Sequence, residues 1–440
     1  MFRILPRRLA SNWSWPFFWS GLRFVIVCGL FMLAVRSMRP DTSSADYKML
    51  ALSRDHLFDF AQWEGGTLLD KGLNNLVAPQ QYMSNDQRVA YVRDYLKLVG
   101  QAEDVESQIA KIYADPAIKD PSEASADLRA KRDALRADQA QRQPLAEAII
   151  QSQVSEMLAE YGFGANGEVF PPVAMRFTQL PAILIVSQRE SINRIGAYPL
   201  DHGITVEQQQ ALENQLDSNL DVSSLVAPLG GLAVWPAMLI ETRDTNSVFT
   251  IASHEWTHHY LAFYPLGFNY GKTPALYTMN ETTANIVGGE IGWAVMHRYY
   301  PDLAGAPPDY TPKPPQAPPQ PQPGQKSAWD FRTQMRNVRV EVDALLGEGQ
   351  VERAEDYMER SRVTFVNHGY IIRKLNQAYF AFYGSYADQP GATGSDPIGP
   401  ALRDLRYYSG SLHNFIARVR GVTTFEGLQA EVSQAKAAGR

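Results

Sequence analysis

The stretch His254-Glu255-Trp256-Thr257-His258 decides how this chain is read. It spells H-E-x-x-H inside a segment that reads as a helix. Two histidines four residues apart lie on one helical face, so both imidazoles can reach a single ion. Glu255, beside the first of them, can stand next to the ion's open position and take a proton from bound water. The alternative for the same five residues is a polar helix face that stacks two histidines.

The following helix supplies a third ligand candidate. Glu281 comes after His258 and an intervening stretch of 22 residues, and it opens the run Glu281-Thr-Thr-Ala-Asn-Ile-Val-Gly-Gly-Glu-Ile-Gly. Two histidines and one glutamate, with water in the fourth position, make a catalytic zinc site rather than a closed structural one. Asn285 lies one turn after Glu281 on the same face. Gly288, Gly289 and Gly292 are costly inside a helix, and a close approach to the histidine helix would account for them. Glu281 also has capping-box spacing in Thr278-Met-Asn-Glu281, a role that does not exclude ligation.

H-E-x-x-H, a short linker and a helix starting with a Glu ligand resemble the gluzincin metallopeptidases, which include thermolysin and the zinc aminopeptidases. The resemblance covers about residues 225–300. It implies His254, His258 and Glu281 as zinc ligands and Glu255 as general base and acid. It also implies a zincin-like core: a small sheet with an edge strand, the H-E-x-x-H helix and the Glu-ligand helix. Many gluzincins carry an Asp one turn after the Glu ligand, orienting the first histidine. Here Asn285 takes that place, and its carbonyl can accept an imidazole N–H while raising ligand basicity less than a carboxylate would. The metzincin pattern does not fit, because Leu261 and Tyr264 stand where a Gly and a third His are needed. The aminopeptidase motif Gly-x-Met-Glu-Asn is missing, its place held by Gly230-Gly231-Leu-Ala-Val-Trp-Pro236. A wider run, residues 183–386, resembles uncharacterised bacterial membrane-anchored proteins with the same zinc motif, a likeness that carries no substrate.

Composition narrows the function classes. A chain of 440 residues can bury a sizeable core and has room for two or three domains. Its 41 basic and 47 acidic side chains give a formal charge of −6, which argues against nucleic acid as a main partner. The single cysteine, Cys28, sits in the apolar N-terminal segment. Disulfides, a cysteine nucleophile and Cys-ligated zinc are therefore excluded from the rest.

Residues 1–40 read as a short basic tail and a transmembrane anchor. Arg3, Arg7 and Arg8 precede the aromatic cluster Trp13, Trp15, Phe17, Phe18 and Trp19, and an apolar run follows over residues 24–35. Together these are long enough for a span, with the tryptophans as an interfacial belt. No small-x-small cleavage site follows, since Ala34-Val-Arg36 fails, so the anchor is expected to stay. This predicts a single-pass membrane protein with a cytoplasmic tail and an extracytoplasmic catalytic domain.

Beyond the anchor the chain reads as α+β and predominantly helical. Residues 41–165 form a helical hairpin, coiled-coil-like, with Val89, Val92, Leu96, Val99, Val105, Ile109 and Ile112 at helical spacing. The charged stretch 124–140 reads as a solvated face. Residues 166–300 hold the catalytic unit. Strands are expected at Val173-Ala-Met-Arg-Phe, at Leu180-Pro-Ala-Ile-Leu-Ile-Val186, and from Leu232 to Glu241, where Pro236 favours an edge. An edge there could take up an extended peptide. Residues 301–326 are a proline-rich loop, with nine prolines between 307 and 323. Residues 327–440 add C-terminal helices: 329–346 and 351–383 around Gly347-Glu-Gly349, then a loop and two short helices from Pro397.

The expected activity is a membrane-anchored zinc metallopeptidase acting on a peptide or protein. A zinc hydrolase of some other bond and an inactive zincin-fold scaffold are the alternatives. Peptide hydrolysis also needs a donor to the oxyanion. Tyr370, Tyr379, Tyr383, Tyr386 and His368 are the candidates, and spacing does not choose among them. His259 points about 100° away from its neighbour around the helix, giving it a supporting or surface role. His297 lies too far along the second helix to share the ion, and His56, His202 and His413 read as structural.

Overall fold

The computed structural model describes residues 41–114, 118–165, 168–312, 329–387 and 391–438. Two compact units are present, residues 1–51 and 52–440. The first contains most of helix α1 (Ala45–Ser53). The anchor assigned to residues 1–40, and most of the proline-rich loop, lie outside the described residues. Among the described residues no helix is long and apolar enough to cross a membrane. The long ones are α2 (Phe60–Val77), α3 (Asn85–Ala114), α4 (Ala126–Leu158) and α7 (Pro274–Tyr299), and each carries charged residues along its length. The transmembrane and single-pass membrane assignments are therefore corrected.

Helices α3 and α4 run antiparallel. Arg88 near the start of α3 reaches Glu156 near the end of α4, and Glu106 towards the other end of α3 meets Arg136. Of the predicted stripe, Val92, Leu96, Val99, Val105 and Ile109 are buried, while Val89 and Ile112 at its ends are half-buried. Most of it joins a core with Ile149, Ile150 and Val154 of α4, Val248, Phe249 and Trp256 of α6 (Thr245–Leu261), and Ile286, Val287 and Ile291 of α7. The hairpin thus packs against the helices that carry the motif.

A two-stranded pair, β1 (Gly164–Ala165) with β2 (Glu168–Val169), and two three-stranded sheets complete an α+β architecture that is mostly helical. One has strand order β5-β4-β6, with β4 (Ala182–Gln188) antiparallel to both β5 (Arg194–Leu200) and β6 (Val222–Ala227). The other has order β3-β8-β7, from β3 (Met175–Phe177), β7 (Gly231–Leu232) and β8 (Ala237–Leu239). The single strand expected from Leu232 to Glu241 is instead a hairpin. Gly231 pairs with Leu239 and Leu232 with Met238, because the chain reverses over residues 233–236. Pro236, which has no N–H to give a ladder, stands in that reversal.

The outer edge of β3 is closed by side chains of α4. Glu147 accepts from Phe177 N at 2.8 Å, Gln151 accepts from Met175 N at 2.9 Å, and Gln143 donates to Phe177 O at 2.7 Å. Those three residues share one helical face at four-residue spacing. The opposite edge of this sheet is β7.

C-terminal helices α8 (Phe331–Gly347) and α9 (Val351–Asn367) flank the expected turn. The second helix was expected to reach Tyr383, but it stops early. Gly369 adopts φ +88°, a conformation open to glycine, and Asn376 then caps a new helix, α10 (Gln377–Tyr383), at Tyr379 N. Three helices rather than two follow: α11 (Ile398–Tyr408), α12 (Leu412–Val419) and α13 (Phe425–Ala438).

Helices α6 and α7 approach closely, as their glycines suggest. A Cβ on Gly288 would lie 2.8 Å from the Thr250 carbonyl oxygen and 3.1 Å from His254 Cβ. A Cβ on Gly292 would lie 2.6 Å from Thr250 Oγ1 and 3.0 Å from its Cα. Gly289 differs, its nearest neighbour being Tyr310 Oη at 3.9 Å. Gly288→Ala should therefore force the helices apart and cost about 1–3 kcal/mol of stability. Gly289→Ala should be neutral or stabilising by up to about 1 kcal/mol. Urea unfolding of the two variants checks the contrast, and equal effects would refute this packing account.

Candidate metal centre

Helix α6 begins at Asp244, whose carboxylate accepts from Ser247 N at 2.5 Å. Its back is pinned by Trp256, fully buried, with Nε1 donating to Pro171 O at 2.8 Å. That anchoring turns His254 and His258 the other way, one turn apart on the face towards α7. Helix α7 is capped by Thr273, with Pro274 in its first turn. Thr278 and Glu281 are consequently buried inside the helix, which removes the capping role considered for them.

The predicted ligand atoms converge. His254 Nε2 and His258 Nε2 are 3.0 Å apart, and each lies 3.5 Å from Glu281 Oε2. These three side chains could hold one metal ion. Two imidazole lone pairs and a buried carboxylate this close repel one another unless a cation or a proton lies between them.

Neighbours fix the orientation of two of the three candidate ligands, His258 and Glu281. Asn280 Nδ2 donates to Leu266 O at 3.3 Å, which turns its Oδ1 towards His258 Nδ1 at 2.7 Å. An oxygen there demands a proton on Nδ1, leaving Nε2 as the ligating atom. Tyr270 donates to the other Glu281 oxygen, Oε1, at 2.5 Å. Asn280 carries no local signal in the sequence, since its partners His258 and Leu266 lie 22 and 14 residues away. Asn285, the expected supporting residue, is half-buried one turn beyond Glu281.

Electrostatics follow from this crowding. Burial works against a charged His258, yet the charge and hydrogen bond of Glu281 outweigh it and lift His258 to about 9. Burial would likewise raise Glu281, but the charge and hydrogen bonds of His258 and His254 hold it well below the usual carboxylate range. Glu255 is pushed up, chiefly by burial, against the opposing pull of both histidines. His259 is pushed down to about 4 by burial. Its Nε2 donates to Val234 O at 2.7 Å, so it ties α6 to the reversal between β7 and β8.

A cleft of about 420 Å³ opens over the three ligands. Glu255 lines it, pressed against the edge strand: a Cβ on Gly231 would fall 2.2 Å from Glu255 Oε1. Of the donor candidates, only Tyr386 lines this cleft, its ring 6.4 Å from that of His254. Tyr379 and Tyr383 line a different depression with Tyr370, while His368 stacks on Trp329 at 4.1 Å. His297 stacks on Trp293 and His413 packs against Phe163, away from the ligands. Arg194 also faces the cleft, a residue not singled out in the sequence.

No family model, curated protein or solved structure matches the chain. Chemical interpretation therefore rests on the residues themselves. Two neutral nitrogens and a carboxylate suit a divalent cation, and the buried Glu255 beside them suits proton transfer.

Asn280→Ala should weaken metal affinity about 10–100-fold, measured by competition with a chromophoric chelator. A proton dependence follows from His258. Its folded-state pKa lies above the ordinary value of 6.5, so the metal-free protein gains stability from the imidazolium that is complete below pH 6.5 and is lost as pH rises through about 9. Chelator-treated protein should thus lose thermal stability between these limits. Over the same range apparent metal affinity should rise, by up to tenfold per pH unit, as the competing proton leaves. An affinity flat across this range would refute the assignment of His258 as a ligand.

Proposed function

We propose that the protein is a zinc-dependent metallopeptidase of the kind that uses two histidines and a glutamate. The observation that carries this reading is the convergence of three ligand atoms beside a buried glutamate and an edge strand. A tetrahedral zinc with bonds of about 2.0–2.1 Å sets its ligand atoms roughly 3.3 Å apart. The separations of 3.0, 3.5 and 3.5 Å fit that requirement. The zincin-like arrangement of histidine helix, Glu-bearing helix and edge strand belongs to the same proposal.

Zinc held by these residues supplies Lewis acidity, polarising a carbonyl and lowering the pKa of water. Glu255 takes the proton from the attacking water and passes it to the departing amine. Burial supports that role, since a raised carboxylate pKa favours both acceptance and return of a proton near neutral pH. Tyr386 donates to the oxygen on which negative charge develops. Its hydroxyl makes no hydrogen bond with a described residue, so a donor is at hand for the substrate. Strand β7 offers unpaired backbone groups along the cleft, to which an extended peptide can add as a further strand.

Glu255→Gln should retain stoichiometric zinc and lose hydrolysis of a peptide library by at least ~10³-fold. Tyr386→Phe should lower kcat by roughly 10²–10³-fold with little change in KM. Gly231→Ala should displace the Glu255 carboxylate and cost on the order of 10²-fold in kcat while zinc stays bound. Turnover in the Glu255→Gln protein equal to that of the unaltered chain would sink the mechanism. Stoichiometric zinc with no turnover of any peptide would point instead to a binding module.

A further inference from the structure

Arg194 differs from most partly buried arginines in lacking a carboxylate partner, a trait it shares with Arg420, whose guanidinium sits on Tyr260 Oη and over the Tyr264 ring. Arg189, Arg373 and Arg406 each hold a carboxylate, from Glu355, Glu213 and Glu290 respectively. Among the described residues Arg194 forms no such ion pair. Its guanidinium lies over the Tyr277 ring, 3.4 Å from the centroid, and 5.6 Å from that of Tyr270. The Tyr270 and Tyr277 hydroxyls also accept from it, and because stacking uses only the face of a guanidinium, the remaining N–H donors at its edge can serve a further acceptor.

A defect in strand pairing aims Arg194 into the cleft. Ile185 pairs with Ala197 and Val186 with Gly196, but Ser187 pairs with Arg194, so β5 carries one extra residue, Ile195. Without it, alternation would place Arg194 on the face of Gly196 and Tyr198. The bulge moves it onto the face of Ile183, Ile185, Ala197 and Pro199, all of which line the cleft. Tyr270 links this arginine to the ligand group, with its hydroxyl on Glu281 and its ring against the guanidinium. Charge points the same way. The only other charged groups of the lining are Glu255, Glu281 and the two histidines. Both carboxylates balance a divalent ion, which leaves the guanidinium as the net charge of the cleft.

We propose that Arg194 recognises a carboxylate of the substrate through its forked N–H donors, so that the cleft selects anionic peptides. The inference rests on the metallopeptidase reading for the word peptide and on the geometry of β5 for the rest. Two sources can present the group: the C-terminal carboxylate of the substrate, or an acidic side chain near the cleaved bond. The first corresponds to carboxypeptidase action and the second to cleavage within a chain.

The test measures dissociation constants by calorimetry on the full-length, zinc-loaded Glu255→Gln protein, which binds without turnover. Three N-acylated tripeptides of otherwise shared sequence serve as probes: a free acid, its C-terminal amide, and the amide with Glu as last residue. A preference of at least about tenfold for a carboxylate-bearing peptide over the plain amide is expected. Adding Arg194→Gln should reduce it below about twofold without loss of zinc, and Arg194→Lys should keep part of it. Preference for the free acid assigns the C terminus, and preference for the Glu amide assigns the side chain. Equal affinities for the three peptides before Arg194 is altered overturn the proposal, as does a preference that survives Arg194→Gln. Turnover in the unaltered chain separates the two readings. Hydrolysis indifferent to both carboxylate and Arg194 leaves the peptidase standing without this recognition. A carboxylate preference with no hydrolysis leaves the recognition standing without the peptidase.

Discussion

Helices α6 and α7 meet backbone to side chain because Gly288 and Gly292 present no Cβ to Thr250 and His254. Everything at the ligand group depends on that contact. Imidazole and carboxylate side chains are short, and a ligand set made from two helices closes only if the helices stand at the right separation. An added methyl at either glycine would move Glu281 away from the histidine nitrogens by a distance comparable with the tolerance of a metal bond. The cost of glycine inside a helix is thus accepted to set one distance, and burial of both helices in a large shared core offsets it.

A second constraint acts on charge. Glu255 and Glu281 are both nearly inaccessible, and buried carboxylates persist only when something pairs with them. The pairing differs between the two. Glu281 has histidines on one oxygen and Tyr270 on the other, which favours its ionised form. Glu255 has only more distant histidine charges against its burial, which leaves it readier to take a proton. Neighbouring carboxylates pushed in opposite directions are the arrangement that separates a ligand from a base. The loop between α6 and α7 contributes to this, since Leu266 orients Asn280 and Tyr270 holds Glu281.

Legibility in the sequence follows the range of each interaction. The histidine pair, Glu255 and the hairpin stripe were readable because helical periodicity is local and strong. Gly288 and Gly292 were readable as a close approach because glycine has few other reasons to sit within a helix. Gly289 carries the same letter without the same role, and only its direction around the helix tells it apart. Strand β5 escaped notice because Gly196 and Pro199 break the alternation that marks a strand, and β6 because it is buried on both faces. The single strand expected from Leu232 to Glu241 is a hairpin, since Trp235-Pro236 marks a reversal rather than an edge. Asn280, Tyr270 and Tyr386 depend on contacts between segments 11 to 132 residues apart along the chain, for which no local pattern exists.

The two halves of the centre are built by different means. Helices hold the ligands, because a helix repeats its geometry and can place two nitrogens on one face without error. The sheets supply the other features of the cleft: an edge strand at β7, a bare backbone at Gly231 and a re-aimed side chain at Arg194. A bulge changes the face of one residue while leaving its neighbours paired, so the residue facing the cleft can change without moving the two helices. The closed edge at β3 completes this division. With Gln143, Glu147 and Gln151 occupying that side, β7 is the side of this sheet left to an incoming strand, and it runs beside Glu255. A chain adding to this sheet at β7 would therefore pass Glu255, which is the path that the proposed peptidase reading requires.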